Sequence, residues 1–115
     1  MFERARRLRT ATDHRRVSRA GRLIRGQYLV FRYLVTPFAS RYGVVISSAV
    51  AKKATTRNLV KRRVRAALRE YPIAQVDAVF YATKASTTAT YRQIVAEIQA
   101  FKTTIEHAKD SHRTH

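Results

Sequence analysis

Between Thr56 and Tyr71, the residues Val60, Val64, Ala67, Leu68 and Tyr71 recur at a spacing that puts them on one side of a helix. Arg57, Asn58, Lys61, Arg62, Arg65 and Arg69 fall together on an adjoining arc of roughly 140°. A helix built this way has one stripe it must bury and one wall of cations that needs an anionic neighbour. The first requirement calls for a packed layer beneath it, the second for a partner outside it. Pro72 ends the helix, because its ring disfavours helical backbone in the residue before it.

The cations are not offset locally. Residues 52–69 hold eight Lys or Arg and no acid. Arg57 and Lys61 sit in the first turns, where the helix dipole disfavours positive charge by about 0.3–1 kcal/mol each. A phosphate near that end would meet cations and free backbone N–H groups together, and the planar fork of arginine suits its oxygens. The bias extends beyond the helix. The 115-residue chain carries a formal net charge of +17. Residues 1–70 hold 19 of the 24 basic residues against Glu3, Asp13 and Glu70, whereas residues 71–115 hold five basic residues against four acids. Charge of this size is costly through self-repulsion and points to nucleic acid or an anionic membrane as partner.

Apolar residues make up 45% of the chain, enough for one folded domain with a modest core. The absence of cysteine excludes disulfides and thiolate metal sites. No apolar run approaches the roughly 20 residues that span a bilayer. Met1 to Arg9 is Arg-rich but lacks a clear amphipathic pattern, so it reads as an arm of the domain rather than a transit peptide, and cytoplasm is the expected compartment.

The remaining elements follow from periodicity and punctuation. Thr10 to Ala20 reads as a short helix closed by Gly21, a residue for which the left-handed conformation of a helix stop is cheap. Gln27 to Thr36 reads as a strand, with Leu29, Phe31, Tyr33 and Val35 on one face and Tyr28, Val30, Arg32 and Leu34 on the other. Pro37 ends it. Arg41 to Ser47 reads as the next strand, near enough to pair with the first as a hairpin. Val76 to Thr83 reads as another strand. The last helix puts Tyr91, Ile94, Val95, Ile98, Phe101 and Ile105 on one stripe. One α+β domain over residues 1–115 results, a sheet covered by helices. Its ordered core covers about residues 8–106, with residues 1–7 and 107–115 fraying.

No catalytic constellation emerges. The seven acids are scattered, His14 has no second ligand at metal spacing, and His107, His112 and His115 form no zinc pattern. Gly21, Gly26 and Gly43 form no phosphate-binding loop motif. The expectation is therefore no catalytic residue, no metal site and no cofactor bound by the protein alone. Tyr28, Phe31, Tyr33, Tyr42, Phe80 and Tyr81 are divided between core packing and stacking on unpaired bases, with Tyr28 beside Arg32 the best candidate for a nucleotide groove.

The run Ala54-Thr-Thr-Arg57-Asn58-Leu-Val-Lys61-Arg62-Arg-Val-Arg65 resembles the signature of the bacterial ribonuclease P protein subunit, an Arg-Asn pair followed by Lys-Arg and a further Arg. The flanks resemble it too: Asp13, Val17 and Gly21 in the first helix, Tyr28-Leu-Val-Phe31, Gly43-Val-Val-Ile46-Ser, and Val79-Phe80-Tyr81-Ala82. The likeness covers roughly residues 8–105. Leu59 stands where the family often has Arg, and His14 and Ser18 where it often has aromatics.

The resemblance implies a four-stranded mixed sheet in the order αβββαβα, ribosomal protein S5 domain 2-like, with a left-handed βαβ crossover around the basic helix. It implies a non-catalytic subunit of an endoribonuclease, whose partners are the ribonuclease P catalytic RNA and precursor tRNA, with Mg2+ at the RNA active site. It assigns Arg57, Asn58, Lys61, Arg62, Arg65, Arg69, Lys52 and Lys53 to the catalytic RNA, and His14, Val17, Ser18, Tyr28, Val30 and Arg32 to a groove for the single-stranded 5′ leader. No membrane or small-molecule partner is implied. The rival reading is a structural RNA-binding protein, like a ribosomal protein, with no processing role.

Overall fold

The structure, a computed structural model, describes residues 11–113. The arm expected over residues 1–7 lies outside the described residues. Helix α1 (Ala11–Ala20) is followed by strands β1 (Arg22–Arg25), β2 (Leu29–Val35) and β3 (Arg41–Val45). Helix α2 (Ala54–Glu70), strand β4 (Val76–Ala82), a 3-10 turn (Lys84–Thr87) and helix α3 (Tyr91–Arg113) complete the chain. The last helix continues past Ile105, where fraying was expected, to Arg113.

The sheet runs β1-β2-β4-β3, with β3 and β4 parallel and the other two pairs antiparallel. The expected hairpin between β2 and β3 does not form, because β4 lies between them. All of β4 except Tyr81 is buried, so the centre of the sheet is where the most apolar strand loses most water. The five residues 36–40 need only cross the end of one strand, a gap of about 10 Å. The local hairpin is instead β1–β2. β1 escapes a sequence reading because Arg-Leu-Ile-Arg is short, charged at both ends and confined to an edge.

The main core fills one face of the sheet. Leu29, Phe31 and Tyr33 of β2, Tyr42 and Val44 of β3, and Ala78 and Phe80 of β4 meet Val60, Val64, Ala67 and Leu68 of α2 and Ile94, Ile98, Phe101 and Ile105 of α3. Phe31 is its centre, stacked on Phe80 with centroids 4.9 Å apart and on Phe101 at 4.7 Å. Helix α1 crosses the opposite face, where Val17 packs on Val79 with both side chains fully buried.

No glycine has positive φ, so Gly21 does not act through the left-handed conformation expected for a helix stop. Its requirement is space. A Cβ at residue 21 would run into the Val17 carbonyl oxygen and lie 3.0 Å from that of Tyr33, both of them backbone atoms. Gly21 thus lets the end of α1 lie directly on β2, with its N–H bonded to Val17 O at 2.8 Å.

Candidate nucleic-acid interface

Burial of Val60, Val64, Ala67 and Leu68 fixes the roll of α2. Asn58, Arg62 and Arg69 are thereby exposed, and Arg57, Lys61 and Arg65 are half-buried along the same wall. Leu59, 38% exposed, is the apolar member of this surface. Lys53 caps the helix by backbone alone, without a side-chain hydrogen bond, and no acid occupies the first turn. Arg57 donates Nη1 to the carbonyls of Ala51 and Lys52, both at 2.8 Å. It therefore braces the preceding loop and holds exposed Lys52 and Lys53 at the positive end of the helix. Arg63, outside the expected set, donates to Ala89 O at 2.8 Å and ties α2 to the approach of α3.

The second surface is the sheet face beneath α1. Strand register aligns Arg25, Val30, Tyr81 and Val45 in one row across all four strands, with Leu23, Arg32, Val79 and Gly43 in the next. Val17 covers Val79, while Val30, Arg32, Val45 and Tyr81 stay half-exposed and Leu23 and Arg25 are exposed. Ser18 Oγ and Tyr81 OH are 3.3 Å apart, and Arg32 donates Nη1 to Ser18 O at 3.2 Å. The result is a shallow groove with an apolar and aromatic floor and cations at its border.

The structure brings Ser18, Val30 and Arg32 to this face, and half-buried His14 lies one turn before Ser18 on α1. Val17 is wholly buried beneath the groove and positions α1 rather than lining the floor. Tyr28 is drawn away, because its side chain packs against the main core. Its backbone N–H is taken by the Glu97 carboxylate, and its carbonyl accepts from Thr83 N at 2.9 Å. Tyr81, Val45, Leu23 and Arg25 complete this face; Tyr81 is among the aromatics expected to divide between core and base stacking, whereas the other three are not singled out by the sequence. Alternation against Phe80 marks Tyr81 as facing away from the core; the others needed the strand order and the location of β1.

Asp77 pins the N-terminal half of α1 to the sheet. Its buried carboxylate accepts from Arg16 and from both Nε and Nη2 of Arg41, at 3.1 and 2.9 Å for the latter pair. Arg41 also reaches Asp13 at 3.3 Å. Burial alone would push the Asp77 carboxyl up, but the hydrogen bonds from Arg41 and Arg16 outweigh it and hold the group below the usual range. The same hydrogen bond to Asp77 raises Arg41. Among the described residues, no cluster of His, Asp and Glu is arranged to hold a metal, and no helix is long and apolar enough to cross a membrane.

A family model described as Ribonuclease P matches residues 2–106. The chain belongs to the ribonuclease P protein family. Two relatives named ribonuclease P protein component, from Picosynechococcus and Microcystis aeruginosa, are 41% identical over 64 residues and 38% identical over 69. These matches cover 55% and 56% of this chain and 55% and 58% of the relatives, so the chain spans a little over half of their length. The fold is also similar to that of solved family members. The Staphylococcus aureus protein aligns with a TM-score of 0.75 at 21% identity, over 84% of this chain and 92% of that one. The Thermotoga maritima protein aligns with a TM-score of 0.73 at 23% identity, over 83% and 93%. The α+β sheet of four strands and the order αβββαβα are those of the family.

Proposed function

We propose that this chain is the protein subunit of ribonuclease P, with the cationic wall of α2 on the catalytic RNA and the groove under α1 on the 5′ leader of precursor tRNA. The observation that carries this reading is a helix rolled by its buried stripe so that Arg62, Arg69 and their neighbours form one surface, in a chain that the family match covers almost throughout. Lys52, Lys53, Arg57, Asn58, Lys61, Arg62, Arg65 and Arg69 meet the phosphates of the catalytic RNA. His14, Ser18, Val30 and Arg32, joined by Tyr81, Val45 and Arg25, hold the leader, while Val17 and Tyr28 support that groove from within the fold. Stacking and backbone charge tolerate varied sequences, as a subunit serving many leaders requires.

The two surfaces lie on different sides of the sheet, since α2 packs on the core face and the groove lies on the other. The protein in this account bridges enzyme RNA and substrate. Magnesium bound by the RNA would supply the hydrolytic chemistry; the protein contributes binding, and so lowers the magnesium needed. The compartment that follows is the cytoplasm, where precursor tRNA is processed.

The direct test is affinity for a bacterial ribonuclease P RNA against salt. Each phosphate contact adds about −0.7 to −0.9 to the log–log slope. Replacing Lys61, Arg62 and Arg69 by Ala should flatten that slope by roughly two to three units. An unchanged slope and affinity would remove α2 from the interface. Binding without any stimulation of leader removal would leave a structural RNA-binding protein.

A further inference from the structure

Beyond α1, on the far side from the groove, two connections are fastened into one shelf. Residues 36–40 join β2 to β3, and residues 71–75 join α2 to β4. Thr36 N–H donates to Gln75 O at 2.9 Å, and Tyr42 OH donates to Ile73 O at 2.7 Å while accepting from Ile73 N–H at 3.0 Å. Ser40 Oγ donates to Ile73 O and accepts from Val76 N–H. Gln75 holds a positive φ of 57°, a backbone conformation uncommon outside glycine that the surrounding bonds over-determine.

On this shelf stands Phe38, 76% exposed, beside Val35 at 56%. The ring is a ridge between two clefts. One is lined by Pro72, Ala74 and Ser40, the other by Val35, Arg16 and Arg41. The acids beside the second cleft, Asp13 and Asp77, are engaged by Arg41, and Asp77 also by Arg16. Arg15 and Arg19 extend the positive surface along α1. An exposed aromatic ring beside a half-exposed arginine is complementary to a polymer that carries both π-faces and negative charge.

We propose that Phe38 is a stacking platform for an unpaired nucleobase of RNA, with the adjoining phosphate met by Arg16. Arg16 commits Nη2 to Asp77, its side chain is 48% exposed, and its remaining N–H donors are available to a phosphate. The inference rests on the proposed role in RNA processing but adds a site separate from both surfaces described above. The base comes either from the catalytic RNA or from precursor tRNA, and the test separates them.

Affinities for ribonuclease P RNA and for precursor tRNA in the assembled holoenzyme are measured separately for the wild type and for Phe38→Ala, Phe38→Leu and Phe38→Trp. Loss of one stacked base weakens binding by about 5- to 150-fold. The expected result is a loss of that order for Ala and Leu against one of the two RNAs, with Trp close to wild type. Because Phe38 is exposed, the thermal midpoint should not move. If Ala and Leu bind both RNAs within twofold of wild type while Lys61→Ala/Arg62→Ala/Arg69→Ala loses affinity, the functional reading stands and the stacking site falls. If the triple variant also binds as wild type, the functional reading itself falls. A change in sedimentation on Phe38→Ala with RNA affinity unchanged would make the shelf a contact between copies of the chain and overturn the inference.

Discussion

A Cβ placed on Gly26 would lie closer than 3.0 Å to the carboxyl group of Glu97, a separation real side chains do not show. Glu97 comes from α3 and reaches back to the β1–β2 turn, where its carboxylate accepts from the N–H groups of Gln27, Tyr28 and Leu29, the last at 2.7 Å. The long last helix is thus fastened to the hairpin that borders the groove.

Gly26→Ala has only one relief, since the atoms in its way are the end of a flexible side chain: Glu97 must withdraw and surrender its hydrogen bonds. The expected loss is about 1–2 kcal/mol in denaturant unfolding. In a Glu97→Ala background the same glycine change should be nearly neutral. Additive losses across that double-mutant cycle would show that the two residues do not act through this contact.

Asp77 should make the fold acid-sensitive. Its folded pKa lies below its ordinary value of 3.8, so its contribution is present above about pH 4 and is lost as pH falls through the folded value. Asp77→Asn should cost about 2 kcal/mol, less than a fully buried pair because Arg16 and Arg41 remain partly solvated. It should also flatten the acid limb of stability against pH. An unaltered acid limb in the variant would assign the acid sensitivity elsewhere.

Tyr91 should behave in the opposite sense at high pH. Its hydroxyl donates to Glu70 at 2.7 Å, and that hydrogen bond, with burial second, pushes its pKa from 10.0 up to about 12. The contribution of this contact to stability is complete below pH 10 and is lost as pH rises from there through the folded value of about 12. Absorbance titration of the tyrosines should show a high-pH ionisation that disappears in Tyr91→Phe and moves down in Glu70→Gln.

Within the groove, Tyr81→Ala should weaken binding of precursor tRNA by the holoenzyme by about 1–3 kcal/mol, the range for a base stacked on an aromatic ring. Mature tRNA, which has no leader, should bind as before. Tyr81→Phe keeps the ring and gives up only the contact with Ser18, so it should stay within a few-fold of wild type. Equal losses for precursor and mature tRNA would move Tyr81 out of the leader's path.

What could be read from the sequence was what local periodicity encodes. The buried stripe of α2 and the inner residues of α3 were legible, because a 3.6-residue repeat with one apolar side has one way to face a core. The wall of cations followed from that stripe without further information. Strand order was not legible: nothing local in Leu29–Val35 or Arg41–Val45 says that Val76–Ala82 will come between them. The groove floor was lost with it, since Tyr81 becomes a neighbour of Val30 and Val45 only through that pairing. The inward turn of Val17 is hidden for the same reason, because its burial depends on Val79. At Gly21 the requirement is for space rather than for its own φ: a Cβ would meet the Val17 carbonyl oxygen one turn back and, next, that of Tyr33 on β2, and only the first of these is local.

The central claim is that a cationic helix face makes this chain the cofactor of a catalytic RNA. Removal of the 5′ leader from a precursor tRNA by a bacterial ribonuclease P RNA, at magnesium too low for the RNA alone, tests it most directly. The protein should restore cleavage at the mature 5′ end, Lys61→Ala/Arg62→Ala/Arg69→Ala should restore little of it, and protein without RNA should cleave nothing. Cleavage by the protein alone, or no stimulation by folded wild-type protein with two different bacterial RNAs, would contradict the account.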